Sequence, residues 1–304
     1  MLQIQAIRAQ EDAIITALKK RQIDAAPIVS KILEADQLRR STQTSLDENL
    51  ARANQLAKEI GGLFKSGKAA ESQALKEESA TLKEASKTLQ VTLTQVSETL
   101  QDLLYTLPNV PHESVPSGKS EEDNEEIFRA GDIPVLHKDA LPHWELAKKY
   151  DLIDFELGVK IAGAGFPVYK GKGAKLQRAL IAYFLDKNTA AGYTEIQPPL
   201  VVNEASALGT GQLPDKEGQM YYMPEDKLYL IPTAEVPVTN IFRDVVLSES
   251  DFPVKYTAYT PCFRREAGSY GAHVRGLNRL HQFDKVEIVQ VSHPEVSYEA
   301  LDGM

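Results

Sequence analysis

Two heptad repeats in the first third of the chain constrain its fold more than any other feature of the sequence. Between Pro27 and Leu63, apolar residues recur at alternating spacings of four and three, which is the period of a coiled-coil seam. A second repeat between Leu75 and Leu103 places a leucine or valine at every seventh position. The short glycine-containing turn between the two repeats predicts an antiparallel helical hairpin.

The predicted hairpin should project from the rest of the protein. At a rise of about 1.5 Å per residue, the first helix would be about 55 Å long, too long to fold back into a compact core. Ser79 and Ser86 interrupt the second repeat, so we expect a thin seam and a mobile arm. Heptads more commonly form dimeric coiled coils, and this alternative stays open, although the tight turn and the matched helix lengths favour a hairpin within one chain.

A proline-rich, acidic stretch follows the second repeat. Residues 108–125 contain three prolines and lead into the acidic run at 121–126, a composition typical of a linker. With 304 residues and 42% hydrophobic content, the chain is long enough for two domains. We therefore predict a helical arm at 1–107, a linker at 108–125 and a second domain at 126–304.

The second domain is predicted to mix helices and strands. Helical patterns cover Pro142–Phe155 and Ala174–Ala191, and the second of these has an amphipathic spacing of apolar residues. Short runs rich in valine, isoleucine and tyrosine predict strands at 195–202, 227–230, 255–264 and 283–291. The predicted fold class is α+β, with a long N-terminal antiparallel helical hairpin followed by a mixed or antiparallel sheet with flanking helices.

Composition excludes several classes of function. A single cysteine, Cys262, rules out an internal disulfide and a cysteine-rich zinc cluster, and we expect no metal site built from protein ligands alone. The first 25 residues contain charges and no apolar stretch, so neither a signal peptide nor a membrane anchor is indicated and we expect a cytoplasmic location without membrane partners. No strand is followed by a Rossmann or P-loop glycine pattern, so any ATP site must use another fold.

The distribution of charge is more informative than its total. The net charge of -9 argues against a nucleic-acid partner, because phosphate contacts depend on lysine and arginine. However, residues 1–107 carry 14 basic and 14 acidic side chains, so the entire excess lies in the remainder. An acidic body with a neutral, locally basic arm is compatible with RNA binding through the arm.

The densest cluster of charge on apolar strands lies near the end of the chain. The run 263–266 reads Phe-Arg-Arg-Glu, a loop with Arg275 and Arg279 follows, and 281–287 returns as a second strand, which together predict a hairpin. Arginines that project from strands into a cleft suit bidentate binding of phosphate or carboxylate, and Phe283 could stack on a base. The Phe-Arg-x-Glu pattern alone is weak, and a structural ion pair is an equally good reading of it.

Four ordered segments resemble the class II aminoacyl-tRNA synthetases, and among them the seryl-tRNA synthetases. Residues 192–199 are similar to motif 1 of that class, 210–214 and 233–237 to segments typical of the seryl enzymes, and 262–287, including Gly-Ser-Tyr-Gly at 268–271, to motif 2. The long N-terminal hairpin is similar to the tRNA-binding arm of the family. The resemblance therefore covers essentially the whole chain.

The resemblance implies an antiparallel catalytic sheet, a homodimer and two reactions. L-serine and ATP, with Mg²⁺ bridging the phosphates, give seryl-adenylate, and the seryl group is then transferred to tRNA(Ser), with tRNA(Sec) as an expected second acceptor. The chemistry agrees with the residues present, because adenylation needs alignment and charge compensation rather than a general base.

The resemblance also assigns roles to individual residues. Glu287 is the ligand of the serine hydroxyl, although without the family we would interpret it as a strand residue that faces water. Singly, each basic residue of the arm is more simply a solvated helix charge. The assigned sets are Arg264 and Glu266 for catalysis; Arg264, Arg265, Glu266, Phe283 and Arg279 for ATP; Thr233, Ala234, Glu235, Arg264 and Glu287 for serine; and Arg39, Arg40, Arg52 and Lys58 for tRNA.

Two departures from the family leave alternatives open. No segment before Met304 resembles class II motif 3 with its ATP-binding arginine, so we expect either a fragment of a longer protein, inactive on its own, or a truncated RNA-binding relative without catalysis. Arg265 stands where the family commonly has a small residue. A third alternative, an adenylate-forming enzyme that loads a carrier protein, is disfavoured by the intact arm.

Overall fold

The computed structural model describes residues 2–266 and 275–304. Its contacts divide the chain into two compact units, Met1–Ile133 and Pro134–Met304. The domain boundaries proposed from the sequence, at 107/108 and 125/126, stay a prediction. The Gly-Ser-Tyr-Gly segment at 268–271, part of the predicted motif 2, lies outside the described residues.

The first unit is built around the predicted helical hairpin. Two short helices, α1 (Ile4–Ala9) and α2 (Glu11–Leu18), precede the long helices α3 (Ala26–Lys65) and α4 (Gln73–Thr106). The helix α3 continues through Gly61 and Gly62, and the chain turns at residues 66–68, where Gly67 has a positive φ of 75° that glycine adopts without strain. The long arm predicted from the heptads is confirmed.

Burial along the arm follows the heptads but is concentrated at one end. In the second helix, the positions at sevens from Leu75 to Leu103 are all partly buried. The main core joins α1, α2 and the proximal ends of α3 and α4, with Ile7, Leu18 and Ile32 fully buried. Farther along the arm, Ser86 Oγ is buried and has no hydrogen-bond partner among the described residues. The distal hairpin therefore contributes less apolar burial per residue than the base.

A buried carboxylate joins the short helices to the arm. Asp36 on α3 has no exposed surface, and its oxygens lie 3.3 Å from Arg8, 3.0 Å from Arg39 and 3.1 Å from Arg40. Burial of a charged group is tolerated only when the group is paired and hydrogen-bonded. The three guanidinium groups supply these partners, and Arg8 does so from a different helix.

The second unit begins with short elements that lead into one long helix. These are α5 (His143–Lys149), β1 (Ile153–Asp154), α6 (Phe155–Ala162), β2 (Val168–Tyr169) and α7 (Gly171–Ala190). The single helix predicted over Pro142–Phe155 is wrong in its second half. The helix ends at Lys149 because Asp151 adopts a positive φ of 49°, and Asp154 then caps α6 by accepting a hydrogen bond from the Leu157 amide.

The predicted mixed sheet is also confirmed. The remaining elements are β3 (Thr194–Glu195), β4 (Val201–Asn203), α8 (Glu204–Gly209), β5 (Tyr222–Met223), β6 (Leu228–Leu230), α9 (Glu235–Asn240), β7 (Val254–Phe263), β8 (Gln282–Val291) and α10 (Ser297–Asp302). The strands form one sheet in the order β3-β7-β8 and another in the order β4-β6-β5. The strand predicted at 195–202 is divided into β3 and β4, because Pro198 and Pro199 cannot donate ladder hydrogen bonds.

Two pairings fix the larger sheet. The strand β3 is parallel to β7, whereas β7 and β8 form an antiparallel ladder from Val254↔Val291 to Phe263↔Gln282. The helix α7 packs on this sheet through a hydrogen bond of 2.9 Å from Asn188 to Thr257. Among the described residues, no helix is both long and apolar enough to cross a membrane, and the cytoplasmic location stays a prediction.

We predict that Asp36→Ala destabilises the first unit by about 3 kcal/mol, because three guanidinium groups would lose their shared carboxylate. Urea unfolding followed by circular dichroism measures the change. Asp47→Ala on the same helix is the matched control, since Asp47 is exposed and accepts one side-chain hydrogen bond, from Gln43. Equal effects of the two substitutions would show that the buried network contributes nothing specific.

Candidate active site

The register of the β7–β8 hairpin aligns three functional side chains. Successive side chains of a strand point to opposite faces, so Phe283, Lys285 and Glu287 of β8 share one face. Their partners on β7, which are all fully buried, are Cys262, Thr260 and Ala258. The predicted adenine-stacking residue and the predicted serine ligand therefore lie at two ends of one row, with a lysine between them.

A turn between β6 and α9 brings the predicted serine-binding loop to this row. Thr233, only 4% exposed, donates a hydrogen bond of 2.6 Å to Glu287 Oε2. Lys285 Nζ lies 2.8 Å from the same carboxylate oxygen and donates to Thr233 Oγ1 at 3.0 Å, while the amide of Glu235 donates to this hydroxyl at 3.2 Å. The structure thus joins three residues of the predicted serine site and adds Lys285.

Ala234 lies beside these residues but points elsewhere. Its side chain is fully buried in a small core with Val238 and Ala258. This packing fixes the loop between Thr233 and Glu235. Ala234 thus supports the position of Thr233 and Glu235, and it has no exposed surface of its own.

Arg264 continues from the end of β7 over the row. Its amide donates to the His281 carbonyl at 3.0 Å, and its Nε donates to the Pro232 carbonyl at 3.3 Å. The guanidinium carbon lies 5.2 Å from the centre of the Phe283 ring, within the range of a cation–π interaction. Two residues predicted to bind ATP are therefore in contact with each other.

Glu266 and Arg279 form a second pair at the mouth of the site. Arg279 Nη1 lies 3.3 Å from Glu266 Oε2, with side-chain exposures of 55% and 14%. Glu266 has a positive φ of 48°, which is unusual for a residue with a side chain. Arg265, between the two predicted catalytic residues, is exposed and is held through its amide by the Gln219 carbonyl at 2.9 Å.

Several of these groups line one cavity of about 550 Å³. Its walls carry three cationic and three acidic side chains, together with two amides, a threonine and a proline. The lining residues are Arg264, Arg279, Lys285, Glu217, Glu235, Glu266, Gln212, Gln219, Thr233 and Pro232. Such mixed charge suits a molecule that brings an ammonium group, a carboxylate and phosphates at once.

His281 and Gly165 stabilise the hairpin next to Arg264. His281 Nδ1 donates to the Arg264 carbonyl at 2.9 Å, and its ring stacks on Phe166 with the ring centres 5.3 Å apart. Gly165 has a φ of 83°, and a Cβ placed there would lie 2.3 Å from the His281 ring. A larger residue at 165 would therefore displace the histidine that anchors Arg264.

The opposite face of the hairpin is hydrogen-bonded to α7. Asp284 accepts a hydrogen bond of 2.6 Å from the Tyr259 hydroxyl and another from the Gln177 amide of α7. Burial, reinforced by this carboxylate, raises the pKa of Tyr259 to about 12. Burial also raises the pKa of the Cys262 thiol, so the single cysteine stays a neutral part of the site floor.

The predicted tRNA-binding residues all lie on α3 in the first unit. Arg39 and Arg40 bind Asp36, and Arg52 makes a two-point contact with Glu78 of the opposite helix at 2.8 and 3.0 Å. Lys58 is exposed and has no ion-pair partner within the described part of the chain. Three of the four residues thus also stabilise the arm itself.

Sequence reasoning missed Lys285 and the wall formed by Glu217 and Gln219. The alternation of a strand carried the signal for Lys285, because this residue lies two positions from both Phe283 and Glu287. No comparable signal exists for the wall, whose loop is shaped by Asp215 accepting hydrogen bonds of 2.9 Å from the amides of Gln219 and Met220.

Comparison with sequence families supports the predicted resemblance. Residues 1–111 match the family described as the seryl-tRNA synthetase N-terminal domain. Residues 221–304 match the class II tRNA synthetase core domain of the glycyl, histidyl, prolyl, seryl and threonyl enzymes. The first match coincides with the helical arm, and the second covers seven of the ten residues that line the cavity.

Individual relatives cover the whole chain. The serine–tRNA ligase of Salinibacter ruber is 49% identical over 100% of this chain and 71% of its own length, and that of Thermotoga neapolitana is 48% identical over 100% and 72%. The crystal structure of seryl-tRNA synthetase from Pyrococcus horikoshii complexed with ATP superposes with a TM-score of 0.85 at 29% identity, covering 100% of this chain and 72% of that one. A cytoplasmic serine–tRNA ligase from Naegleria fowleri in complex with AMP gives 0.77 at 25% identity, over 96% and 70%. The chain therefore belongs to the seryl-tRNA synthetase family.

Proposed function

We propose that this chain activates L-serine with ATP and transfers the seryl group to tRNA(Ser). The observation that carries the proposal is the contact of Thr233 and Lys285 with Glu287, since Thr233 and Lys285 line the same cavity as Arg264. Family membership supports the reaction, and the ATP and AMP named for the two solved relatives support the nucleotide. Transfer to tRNA(Sec) stays a prediction.

In the first step, a serine carboxylate oxygen attacks the α-phosphorus of ATP and the bond to pyrophosphate breaks. The carboxylate is already ionised at neutral pH, so no base has to remove a proton. The protein instead aligns the two substrates and compensates the charge on the phosphoryl group. Arg264 and Arg279 provide cations for this purpose in the cavity.

Serine recognition is assigned to Glu287, Thr233 and Glu235. Glu287 Oε2 is occupied by Thr233 and Lys285, which leaves the other oxygen to accept the substrate hydroxyl. The carboxylate of Glu235 suits the substrate ammonium group. Alanine would leave the acceptor of Glu287 unpaired, and sites of this kind discriminate by roughly 10⁴-fold.

ATP is assigned to Phe283, Arg264, Glu266, Arg265 and Arg279. For adenine to stack on Phe283, the Arg264 guanidinium has to leave the ring, and the same movement brings it to the phosphates. Glu266 then lies beside the adenosine, with Arg279 next to it.

Magnesium is proposed as the partner of the ATP phosphates. Mg²⁺ bound to a nucleotide needs only one or two protein carboxylates, because water and phosphate oxygens complete its octahedron. The cavity offers such ligands in Glu217 and Glu266. When bound, the ion would neutralise charge on the phosphates.

The arm is proposed to bind tRNA(Ser). A long helical hairpin suits recognition of an RNA helix through its shape and backbone. Lys58 offers a free ammonium group, and arginines already bound to one carboxylate keep further N–H donors for phosphate.

A homodimer is proposed through the apolar side of α7. Leu176, Leu180, Tyr183 and Phe184 are between 46% and 56% exposed, although their spacing is that of a helix face meant for burial. An exposed apolar stripe of this kind marks an interaction surface, and a second copy of the chain is the partner that the family implies.

We predict serine-dependent exchange of pyrophosphate into ATP by the full-length gene product, with no exchange for the other amino acids. Glu287→Gln should lower kcat/KM for serine about 100-fold, because a hydrogen bond to a charged group contributes up to about 3 kcal/mol. Glu299→Gln, at an exposed position of α10, is the control. Wild-type kinetics in the Glu287 variant would refute the serine site, and no exchange in the wild type would favour a non-catalytic RNA-binding relative.

We predict that shortening the arm separates the two reactions. Replacing residues 47–85 with a short glycine turn removes the distal hairpin but keeps Asp36 and the core at its base. Pyrophosphate exchange should persist while tRNA(Ser) charging is lost. Lys58→Ala should weaken charging modestly and reduce its dependence on salt, since it removes one phosphate contact. Full charging by the shortened protein would contradict the role of the arm.

We predict that Phe184→Glu converts the protein to a monomer, because a charge would be buried in the apolar contact. Light scattering coupled to size-exclusion chromatography gives the mass. Ala182→Glu, at an exposed position away from the apolar stripe of the same helix, serves as the control for an added negative charge. A monomeric wild type, or a dimeric Phe184 variant, would exclude this interface.

A further inference from the structure

Among the described residues, Lys285 is the one cation of the cavity that contacts both side chains of the proposed serine-hydroxyl site. Its Nζ lies 2.8 Å from Glu287 Oε2 and 3.0 Å from Thr233 Oγ1. Arg264 instead bonds to the Pro232 carbonyl, and Arg279 pairs with Glu266. The three cations therefore have separate partners, and only Lys285 bonds to the residues assigned to the amino acid.

The hydrogen-bond capacity of Thr233 is fully used in this arrangement. A hydroxyl has one hydrogen to donate and two lone pairs to accept with. Thr233 donates to Glu287 at 2.6 Å and accepts from Lys285 and from the Glu235 amide. The direction of its bond to Glu287 is thus determined, because two donors already occupy its lone pairs.

Glu287 is fixed from two sides through one oxygen. Both Thr233 and Lys285 bond to Oε2, and the described part of the chain offers no hydrogen bond to Oε1. A carboxylate held this way is an acceptor at its remaining oxygen, which is what a substrate hydroxyl requires.

We propose that Lys285 is a positioning residue for serine specificity, which orients the Glu287 carboxylate so that its free oxygen accepts the hydroxyl of the substrate. The inference rests on the proposed serine activation and adds to it a residue that acts through Glu287. Lys285 lies on β8 between Phe283 and Glu287, so its side chain points to the same face as theirs. This position does not depend on the order in which ATP and serine bind.

The test compares variants of the full-length gene product by pyrophosphate exchange. Lys285→Met should raise the KM for serine about 10- to 100-fold, which is the range expected for a lost charged hydrogen bond, and should reduce the preference for serine over alanine. The KM for ATP should change little, because Lys285 bonds to none of the five residues predicted to bind the nucleotide. Lys285→Arg should recover part of the serine affinity, since it keeps the charge. Lys255→Met, on β7 outside the cavity, is the matched control.

A double-mutant cycle separates a positioning role from a general structural one. If Lys285 acts through Glu287, Lys285→Met should raise the serine KM no further when Glu287→Gln is already present. Lys285→Gln replaces the methionine variant if the latter fails to fold. An unchanged serine KM and serine-to-alanine ratio, an effect on ATP alone, or additive effects in the cycle would overturn the inference while wild-type serine exchange persists. Absence of exchange in the wild type would instead remove the proposed function on which it rests.

Discussion

The antiparallel register of β7 and β8 is the constraint on which the candidate site depends. The ladder runs over ten pairs, from Val254↔Val291 to Phe263↔Gln282, and it decides which side chains of β8 face the cavity. A slip by one residue would exchange the two faces. Phe283, Lys285 and Glu287 would then point to the opposite face, and Asp284 would point to the substrate side. The identity of the side chains in the site therefore depends on the correct register of the two strands.

Several weaker interactions prevent such a slip. On the substrate side, the short buried residues Ala258, Thr260 and Cys262 fit beneath the longer side chains of β8. On the other side, Asp284 is bound by Tyr259 and by Gln177. A slipped strand would bury the Asp284 carboxylate without these donors, which is costly in an apolar environment. The hydrogen bonds of Asp284 on one face of the hairpin therefore help to position the site residues on the other face.

Local patterns made the arm and the main strands predictable from the sequence, whereas the site required tertiary information. Heptads specify a hairpin within a few turns of helix, and the period of two marks β7 and β8. By contrast, Thr233 and Glu287 lie 54 positions apart, and only the family resemblance placed them together. The helix predicted over Pro142–Phe155 failed because the positive φ of Asp151 is set by its surroundings and leaves no periodic signal.

The charges of the arm show why residue type alone is a poor guide to RNA contacts. Arg39 and Arg40 belong to the Asp36 network and Arg52 to a pair across the hairpin, so all three have a structural use that needs no nucleic acid. The two uses are compatible, because one guanidinium carries five N–H donors and a carboxylate engages at most two of them in a fork. The internal carboxylates fix the direction of the remaining donors, and a fixed donor loses less entropy on binding phosphate than a solvated one. The internal pairing of these residues is therefore compatible with the RNA contacts proposed for them.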